Sequence, residues 1–133
     1  MIIDNGNSDT PYINLDTING KLTIMGKSYS NHPSLVYEPI MSEIDKQNLN
    51  SPKITIKIGL EIMNSTSTQY IFRIITILQE MYEETVIYWY YEDDDESMMD
   101  EGHVFRESFP NSDFKLISVK DVKNKKIINI EEM

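Results

Sequence analysis

The fold is decided by residues 54–82, which read ITIKIGLEIMNSTSTQYIFRIITILQEMY. The first ten of these residues place an apolar side chain at every second position, the period that puts alternate residues of a strand on one face. After Asn64 the apolar residues recur every three or four positions, which is the period of a helix with one apolar stripe. The stretch therefore predicts a half-buried strand followed directly by an amphipathic helix.

A second strand is predicted from Thr85 to Tyr91, where β-branched and aromatic side chains fall on both faces. Two strands joined by one helix form a βαβ unit, in which the strands lie parallel. Upstream, Asn19-Gly20 separates two short strand patterns, residues 11–15 and 21–25, and this dipeptide favours a tight hairpin turn. We therefore predict an α/β fold: a mixed sheet with an N-terminal hairpin and a central βαβ unit, with helices packed on it.

The remaining elements are predicted from the same periodicities. A helix is expected to start near Glu38 and run to about Leu49, because Pro39 suits the first turn of a helix. Another helix is expected over residues 97–107, and a last strand over residues 114–119. In the central strand, Ile62 is expected on the same buried face as the isoleucines before it.

The domain organisation follows from length and composition. With 133 residues, 40% of them hydrophobic, the chain fits one compact domain. Residues 1–9 are polar and are expected to fray, residues 10–119 to form the domain, and residues 120–133 to form a basic tail.

Composition also excludes several classes of function. The absence of cysteine removes disulfides, thiolate metal sites and cysteine nucleophiles, and fits a cytoplasmic protein. The formal net charge of −10 opposes binding to nucleic acid or to anionic membranes. The N-terminus has no basic segment leading into an apolar one, and the longest apolar run, Val86–Tyr91, has six residues. We therefore expect neither secretion nor a membrane span.

Most of the net charge comes from one window. Between Glu92 and Glu101 there are seven acidic residues and no lysine or arginine, and outside it 15 acidic residues face 12 basic ones. Parallel strands end at one edge of a sheet, so this cluster is expected to share a rim with the segment that follows Met63. The acidic residues expected on that rim are Glu92, Asp93, Asp94 and Asp95.

The segment after Met63 carries small hydroxyl and amide side chains at a helix N-terminus. Asn64, Ser65 or Thr66 can cap the helix, because a short side-chain oxygen accepts a bond from a free backbone N–H of the first turn. Ser67 and Thr68 complete the run. One cap needs only one of these residues, so the run is consistent either with an ordinary capped helix or with a phosphorylation site at the helix start.

Catalysis has little support in the sequence. The two histidines, His32 and His103, lie in different segments, and no glycine-rich phosphate loop or serine-nucleophile motif occurs. The acidic window does not have the spacing of a calcium loop. We predict no metal or cofactor site. A small Mg²⁺-dependent hydrolase that uses residues 92–101, and a structural scaffold that binds through its sheet edge, are kept as alternatives.

Several motifs together resemble a known family. They occur in order over residues 10–109: Thr10-Pro11, residues 20–26 (GKLTIMG), Ser28-Tyr29, residues 60–67 (LEIMNSTS), residues 89–95 (WYYEDDD) and residues 98–102 (MMDEG). Their order and spacing are similar to those of the SiaC-type regulatory phosphoproteins. The resemblance implies a STAS-like fold, the fold of anti-sigma-factor antagonists, and a non-catalytic bacterial switch.

The resemblance also implies partners and site residues. In that family an ATPase-type protein kinase phosphorylates the hydroxyl that follows the strand-end asparagine, and a metal-dependent phosphatase removes the phosphate. The unmodified form binds an effector such as a diguanylate cyclase. By position the acceptor is Ser65, with Thr66 as the alternative because family members usually carry threonine at the acceptor position. Ser28, Tyr29 and the acidic rim are then expected to contact partners.

Overall fold

The computed structural model describes residues 1–46 and 52–123. Within these residues the chain forms six strands and three helices: β1 Ile2–Asn5, β2 Tyr12–Asp16, β3 Lys21–Ser28, α1 Pro33–Lys46, β4 Lys53–Met63, α2 Ser65–Met81, β5 Glu84–Glu92, α3 Glu96–Ser108 and β6 Asp113–Val119. Of the predicted basic tail, residues 124–133 lie outside this description, as do residues 47–49 of the predicted first helix.

The strands form one mixed sheet in the order β1-β2-β3-β4-β5-β6. β1, β2 and β3 are antiparallel neighbours, whereas β3, β4, β5 and β6 run parallel. The β2–β3 hairpin turns at Gly20, whose φ of 66° is a conformation that favours glycine. The predicted hairpin, the predicted βαβ unit and the α/β fold class are therefore confirmed.

The main core lies between one face of the sheet and the helices. Ile56, Ile58 and Trp89 belong to this core, together with Ile40 from α1 and Ile74 from α2. Because successive strand residues point to opposite faces, the neighbours of these strand residues face the other side. There a smaller cluster forms from Met25, Tyr90, Val119 and Val122. The three helices thus share one face of the sheet, as in a two-layer α/β fold.

Two predicted boundaries differ from the structure. Residues 1–9, expected to fray, contain β1, which pairs with β2, and the N-terminal amino group donates to the carbonyl of Leu15 at 2.9 Å. Helix α1 begins at Pro33 rather than near Glu38. Pro33 takes the first-turn position that favours proline, and the exposed Pro39 is accommodated inside the helix.

A β-bulge interrupts the central strand just before its end. Gly26 pairs with Leu60 but Lys27 pairs with Ile62, so Glu61 is an extra residue on β4. The extra residue reverses the alternation of faces. Ile62 is consequently 42% exposed instead of buried as predicted, while Met63 packs against the core. The bulge therefore sets the direction in which β4 enters helix α2.

Candidate functional site

The candidate site lies at the edge of the sheet where the parallel strands end, hereafter the carboxyl edge. β3 and β4 pair up to Ser28 and Met63, and β5 and β6 pair up to Glu92 and Val119. The ladder between β4 and β5 ends earlier, at Gly59 and Tyr90. The hydroxyl run and the acidic run therefore share one edge, as predicted, although the two central strands are no longer paired there.

Asn64 is the N-cap of α2 and fastens the junction between strand and helix. Its backbone is extended, with φ of −80° and ψ of 168°, and its Oδ1 accepts from the backbone N–H of Ser67 at 2.9 Å. Its Nδ2 donates to the carbonyl of Ser30 at 3.2 Å, and its backbone N–H donates to the carbonyl of Ser28 at 3.0 Å. One amide side chain therefore holds the first turn of α2 and the loop after β3 together.

The four hydroxyls after Asn64 differ in their accessibility. Ser65 and Thr66 are exposed, and neither side chain makes a hydrogen bond within residues 1–46 and 52–123. Ser67 is 1% exposed, and the half-buried Thr68 donates its Oγ1–H to the carbonyl of Asn64 at 3.0 Å. The residues open to modifying enzymes are thus Ser65 and Thr66, the two that the sequence nominated.

Ser28 does not lie on the surface, in contrast to its expected role as a partner contact. It is 2% exposed, and its Oγ lies 2.5 Å from the hydroxyl of Tyr37 and 2.7 Å from the Oγ of Ser67. Burial raises the pKa of Tyr37 to about 12, against hydrogen bonds with Ser28 and Ser67 that lower it. Ser28 thus belongs to a buried hydroxyl cluster beneath the first turn of α2, because β3 points it towards the helices.

Tyr29, by contrast, lies on the surface of the carboxyl edge. Its side chain is 54% exposed, and its backbone N–H donates to the carbonyl of Asp9 at 2.9 Å. The ring is therefore accessible from solvent, and its role as a partner contact stays a prediction.

The acidic residues of the rim have unequal roles. Asp95 is the N-cap of α3 and accepts from the backbone N–H of Met98 at 3.0 Å. Asp93 accepts from the hydroxyl of Ser118, and the half-buried Glu92 accepts from the backbone N–H of Val122 at 3.3 Å. Asp94 is exposed and makes no side-chain bond within the described ranges. Asp93 and Asp94 are the members best placed for outside contact.

The N-terminus of α2 retains the capacity to bind an anion. Its first turn contains no acidic residue, and its cap is a neutral amide. The backbone N–H groups of Ser65 and Thr66 have no carbonyl within the helix to bind, because the first N–H groups of any helix lack such partners. Positive electrostatic potential therefore remains at the position where a phosphoryl group on Ser65 would lie.

Comparison with known proteins identifies the family. A sequence profile described as SiaC family regulatory phosphoprotein matches residues 4–119. The chain belongs to the SiaC family. A comparison with curated protein sequences finds no significant match.

Solved structures share the fold of this SiaC-family chain. A chain of the complex between the diguanylate cyclase SiaD and its activator SiaC from Pseudomonas aeruginosa aligns with a TM-score of 0.74 and 20% identity, covering 89% of this chain and 97% of that one. SiaC of Pseudomonas aeruginosa aligns at 0.73 and 18%, covering 90% and 98%. The apo form of SiaC from the same organism aligns at 0.67 and 15%, covering 89% and 98%.

Among the described residues, no group of three or more histidine, aspartate or glutamate side chains is arranged to hold a metal ion. The hydrolase alternative, which needs such a group at residues 92–101, gains no support from this geometry. None of the helices in the described ranges is long and apolar enough to cross a membrane.

Two residues of the site were missed in the sequence. Tyr37 hydrogen-bonds Ser28 beneath the first turn of α2, and the carbonyl of Ser30 accepts from the side chain of Asn64. Tyr37 could have been found, because it shares a helical face with Ile40 and Ile44 and so belongs to the apolar stripe of α1. Ser30 contributes only a backbone carbonyl, which no side-chain pattern reveals.

A shallow groove extends the exposed surface from the site along α2. Its volume is about 460 Å³. Its walls are Thr68, Gln69, Phe72, Arg73 and Thr76, and Phe72 is 41% exposed. An apolar ring on the same helix as the exposed hydroxyls offers a contact for a partner that covers both.

Proposed function

We propose that this protein is a non-catalytic phosphorylation switch whose acceptor is Ser65, with Thr66 as the alternative. The observation that carries the proposal is the exposed hydroxyl of Ser65, directly after the capping residue Asn64 and without a hydrogen-bond partner in the described part of the chain. A kinase needs a hydroxyl that it can reach, and Ser67 does not provide one because it is 1% exposed.

The proposed effector is a diguanylate cyclase, bound by the unmodified form. Membership in a family of regulatory phosphoproteins supports the switch, and the solved complex of a similarly folded protein, SiaC, with the diguanylate cyclase that it activates supports the effector. On this proposal the contact surface includes the exposed face of α2, Tyr29 and the acidic rim at Asp93 and Asp94.

Phosphorylation at Ser65 acts through size and charge. A phosphoryl group adds about −1.5 to −2 charge at neutral pH. The N–H groups and dipole at the start of α2 stabilise that charge by about 0.3–1 kcal/mol, while the carboxylates along the same edge repel it. The group therefore stays on the surface, where its bulk and its hydration prevent close packing of an effector.

The remaining partners are proposed from the family resemblance. An ATPase-type protein kinase adds the phosphoryl group and a metal-dependent protein phosphatase removes it, both in the cytoplasm. Neither enzyme needs a cofactor or a catalytic residue from this chain, which supplies only the acceptor and its surroundings.

Phosphosite mapping tests the acceptor. The protein is incubated with the ATPase-type kinase of its own host and ATP, and the modified residue is identified by mass spectrometry. We expect label on Ser65, loss or transfer of the label to Thr66 in Ser65→Ala, and unchanged labelling in the control Ser97→Ala, which removes an exposed serine from the first turn of α3. Label on any residue other than Ser65 or Thr66 in the wild type would contradict the proposal.

Affinity measurements test the switch. Ser65→Glu introduces a charge and bulk at the first position of α2, and we expect it to weaken binding to the cyclase by at least about tenfold, the range of a desolvated charge at an interface. Ser97→Glu is the matched control, because Ser97 is an exposed serine in the first turn of α3. Equal affinities for both variants would instead favour a structural scaffold.

A further inference from the structure

Three buried hydroxyl groups from three different elements meet beneath the first turn of α2. They belong to Ser28 at the end of β3, Tyr37 in α1 and Ser67 in α2, which are exposed by 2%, 0% and 1% respectively. None of them can exchange its hydrogen bonds with bulk water. Each hydroxyl must therefore find its donor and acceptor partners within the protein.

The hydrogen-bond directions are constrained by the number of protons. Ser28 donates its single proton to Ser67 over 2.7 Å, so Tyr37 is the donor in the 2.5 Å contact with Ser28. The three groups thus form a chain of two hydrogen bonds, in which Tyr37 donates to Ser28 and Ser28 donates to Ser67.

This hydroxyl chain is joined to the capping bond of the same turn. The backbone N–H of Ser67 donates to Asn64, while the side chain of Ser67 accepts from Ser28, which in turn accepts from Tyr37. Ser67 is therefore fixed at both its backbone and its side chain. This anchor therefore also fixes the orientation of the residues next to Ser67 along the helix.

We propose that Tyr37 is a positioning residue that decides which hydroxyls of the run a kinase can reach. By holding Ser67 inward it leaves Ser65 and Thr66 as the accessible pair. The inference rests on the proposed function for its consequence, but the anchoring of the first turn is a property of the protein alone. Without the Tyr37 hydroxyl, the chain loses one of its two bonds, and Ser28 loses the donor that orients it towards Ser67.

Amide hydrogen exchange tests the anchor without a kinase. In Tyr37→Phe we expect exchange at Ser67 and Thr68 to rise by about 2- to 10-fold relative to Ile56 in the central strand, the range expected for the loss of one net hydrogen bond. Tyr82→Phe is the matched control, because the Tyr82 hydroxyl is buried and has no hydrogen-bond partner among residues 1–46 and 52–123. Equal changes at Ser67 and Ile56 in Tyr37→Phe would overturn the inference. If Tyr37→Phe does not fold, Ser28→Ala breaks the same hydroxyl chain with a smaller change in volume.

Phosphosite mapping then tests the consequence. We expect the host kinase to label Ser67 in Tyr37→Phe but not in Tyr82→Phe or the wild type. An unchanged set of labelled residues in Tyr37→Phe would overturn the proposed effect on site selection while leaving the proposed function in place, and label on Ser67 in the wild type would overturn both. A wild type without label on Ser65 or Thr66 would overturn the proposed function instead, and the exchange ratio would still decide the anchoring role of Tyr37.

Discussion

Two strand-to-helix junctions lie at the carboxyl edge, and they use the same capping bond with different charge. At the first, the side chain of Asn64 accepts from the backbone N–H three residues later at 2.9 Å, and at the second Asp95 does so at 3.0 Å. The first turn of α2 has no acidic residue, whereas that of α3 has Glu96. The second helix dipole is thus neutralised by the chain itself, while the first remains available for an added anion.

The two junctions are also anchored by different means. Beneath α2 the anchor is the hydroxyl chain of Tyr37, Ser28 and Ser67. Beneath the start of α3 it is Trp89, whose Nε1 donates to the carbonyl of Met98 at 3.0 Å and whose ring packs against Phe105. The first junction is therefore held from below by hydroxyl groups alone, and the second by a large aromatic side chain that also donates one hydrogen bond.

Alkaline pH should weaken the anchor beneath α2, because this anchor contains the phenol of Tyr37. Below pH 10 the Tyr37 phenol is protonated in both the folded and the unfolded protein. Above pH 10 the unfolded chain loses this proton first, because the pKa of Tyr37 in the folded protein is about 12. Stability is therefore lost as the pH rises from 10 through 12, by about 2–3 kcal/mol in total. Denaturant unfolding across this range should show a smaller loss in Tyr37→Phe, and equal losses in both proteins would contradict the assignment.

Gly102→Ala should break the second anchor. An added Cβ would lie 2.6 Å from Cδ1 and 2.8 Å from Nε1 of Trp89, too close for an ordinary contact. We expect a loss of about 1–3 kcal/mol in the free energy of unfolding, typical of overpacking. The measurement is urea unfolding, with His103→Ala on the adjacent, less buried position as the control. Unchanged labelling at Ser65 would show that the two anchors act separately.

Removing the caps should cost similar amounts at the two junctions. Asn64→Ala and Asp95→Ala are each expected to lower the free energy of unfolding by about 1 kcal/mol. Only the Asp95 variant should change its cost with ionic strength, because salt screens the carboxylate but not the amide. Thermal unfolding at low and high salt separates them, and a salt-dependent cost of Asn64→Ala would contradict the neutral role of this cap.

Exchanging the charges at the first helical positions gives the smallest effect. Ser65→Glu gives α2 the acidic first residue that Glu96 provides in α3, and should raise the free energy of unfolding by about 0.3–1 kcal/mol at low salt. Glu96→Ser removes that residue from α3 and should lower the free energy of unfolding by a similar amount. The signs are the informative result in a thermal unfolding comparison. A destabilised Ser65→Glu protein would show that the positive potential at the start of α2 is already neutralised.

Much of this fold follows from local patterns in the sequence. The alternation in β4, the helical period in α2 and the Asn19-Gly20 turn each depend on nearby residues, and the structure contains all three. The exposed hydroxyls of Ser65 and Thr66 follow in the same way, because these two residues lie off the buried stripe of α2, which begins at Ser67.

The errors arise where a distant residue decides the outcome. Ser28 is buried because β3 continues past its predicted end at residue 25, which places Ser28 on the core-facing side with Leu22 and Ile24, under Tyr37 of the following helix. Ile62 is exposed because the bulge at Glu61 shifts the pairing with β3, a property of two strands together. Strand β1 lies in a segment that is polar as a whole, and its backbone pairing with β2 gives it order that the composition of this segment does not predict.

The choice of an amide at the first cap also determines what changes the charge there. Asn64, Ser65, Thr66 and Ser67 neither gain nor lose a proton near neutral pH, and Tyr37 remains neutral up to about pH 12. A change of pH within a living cell therefore does not change the charge of these residues. Only covalent modification alters the charge of the junction, so an effector would meet one of two states, with or without the added group.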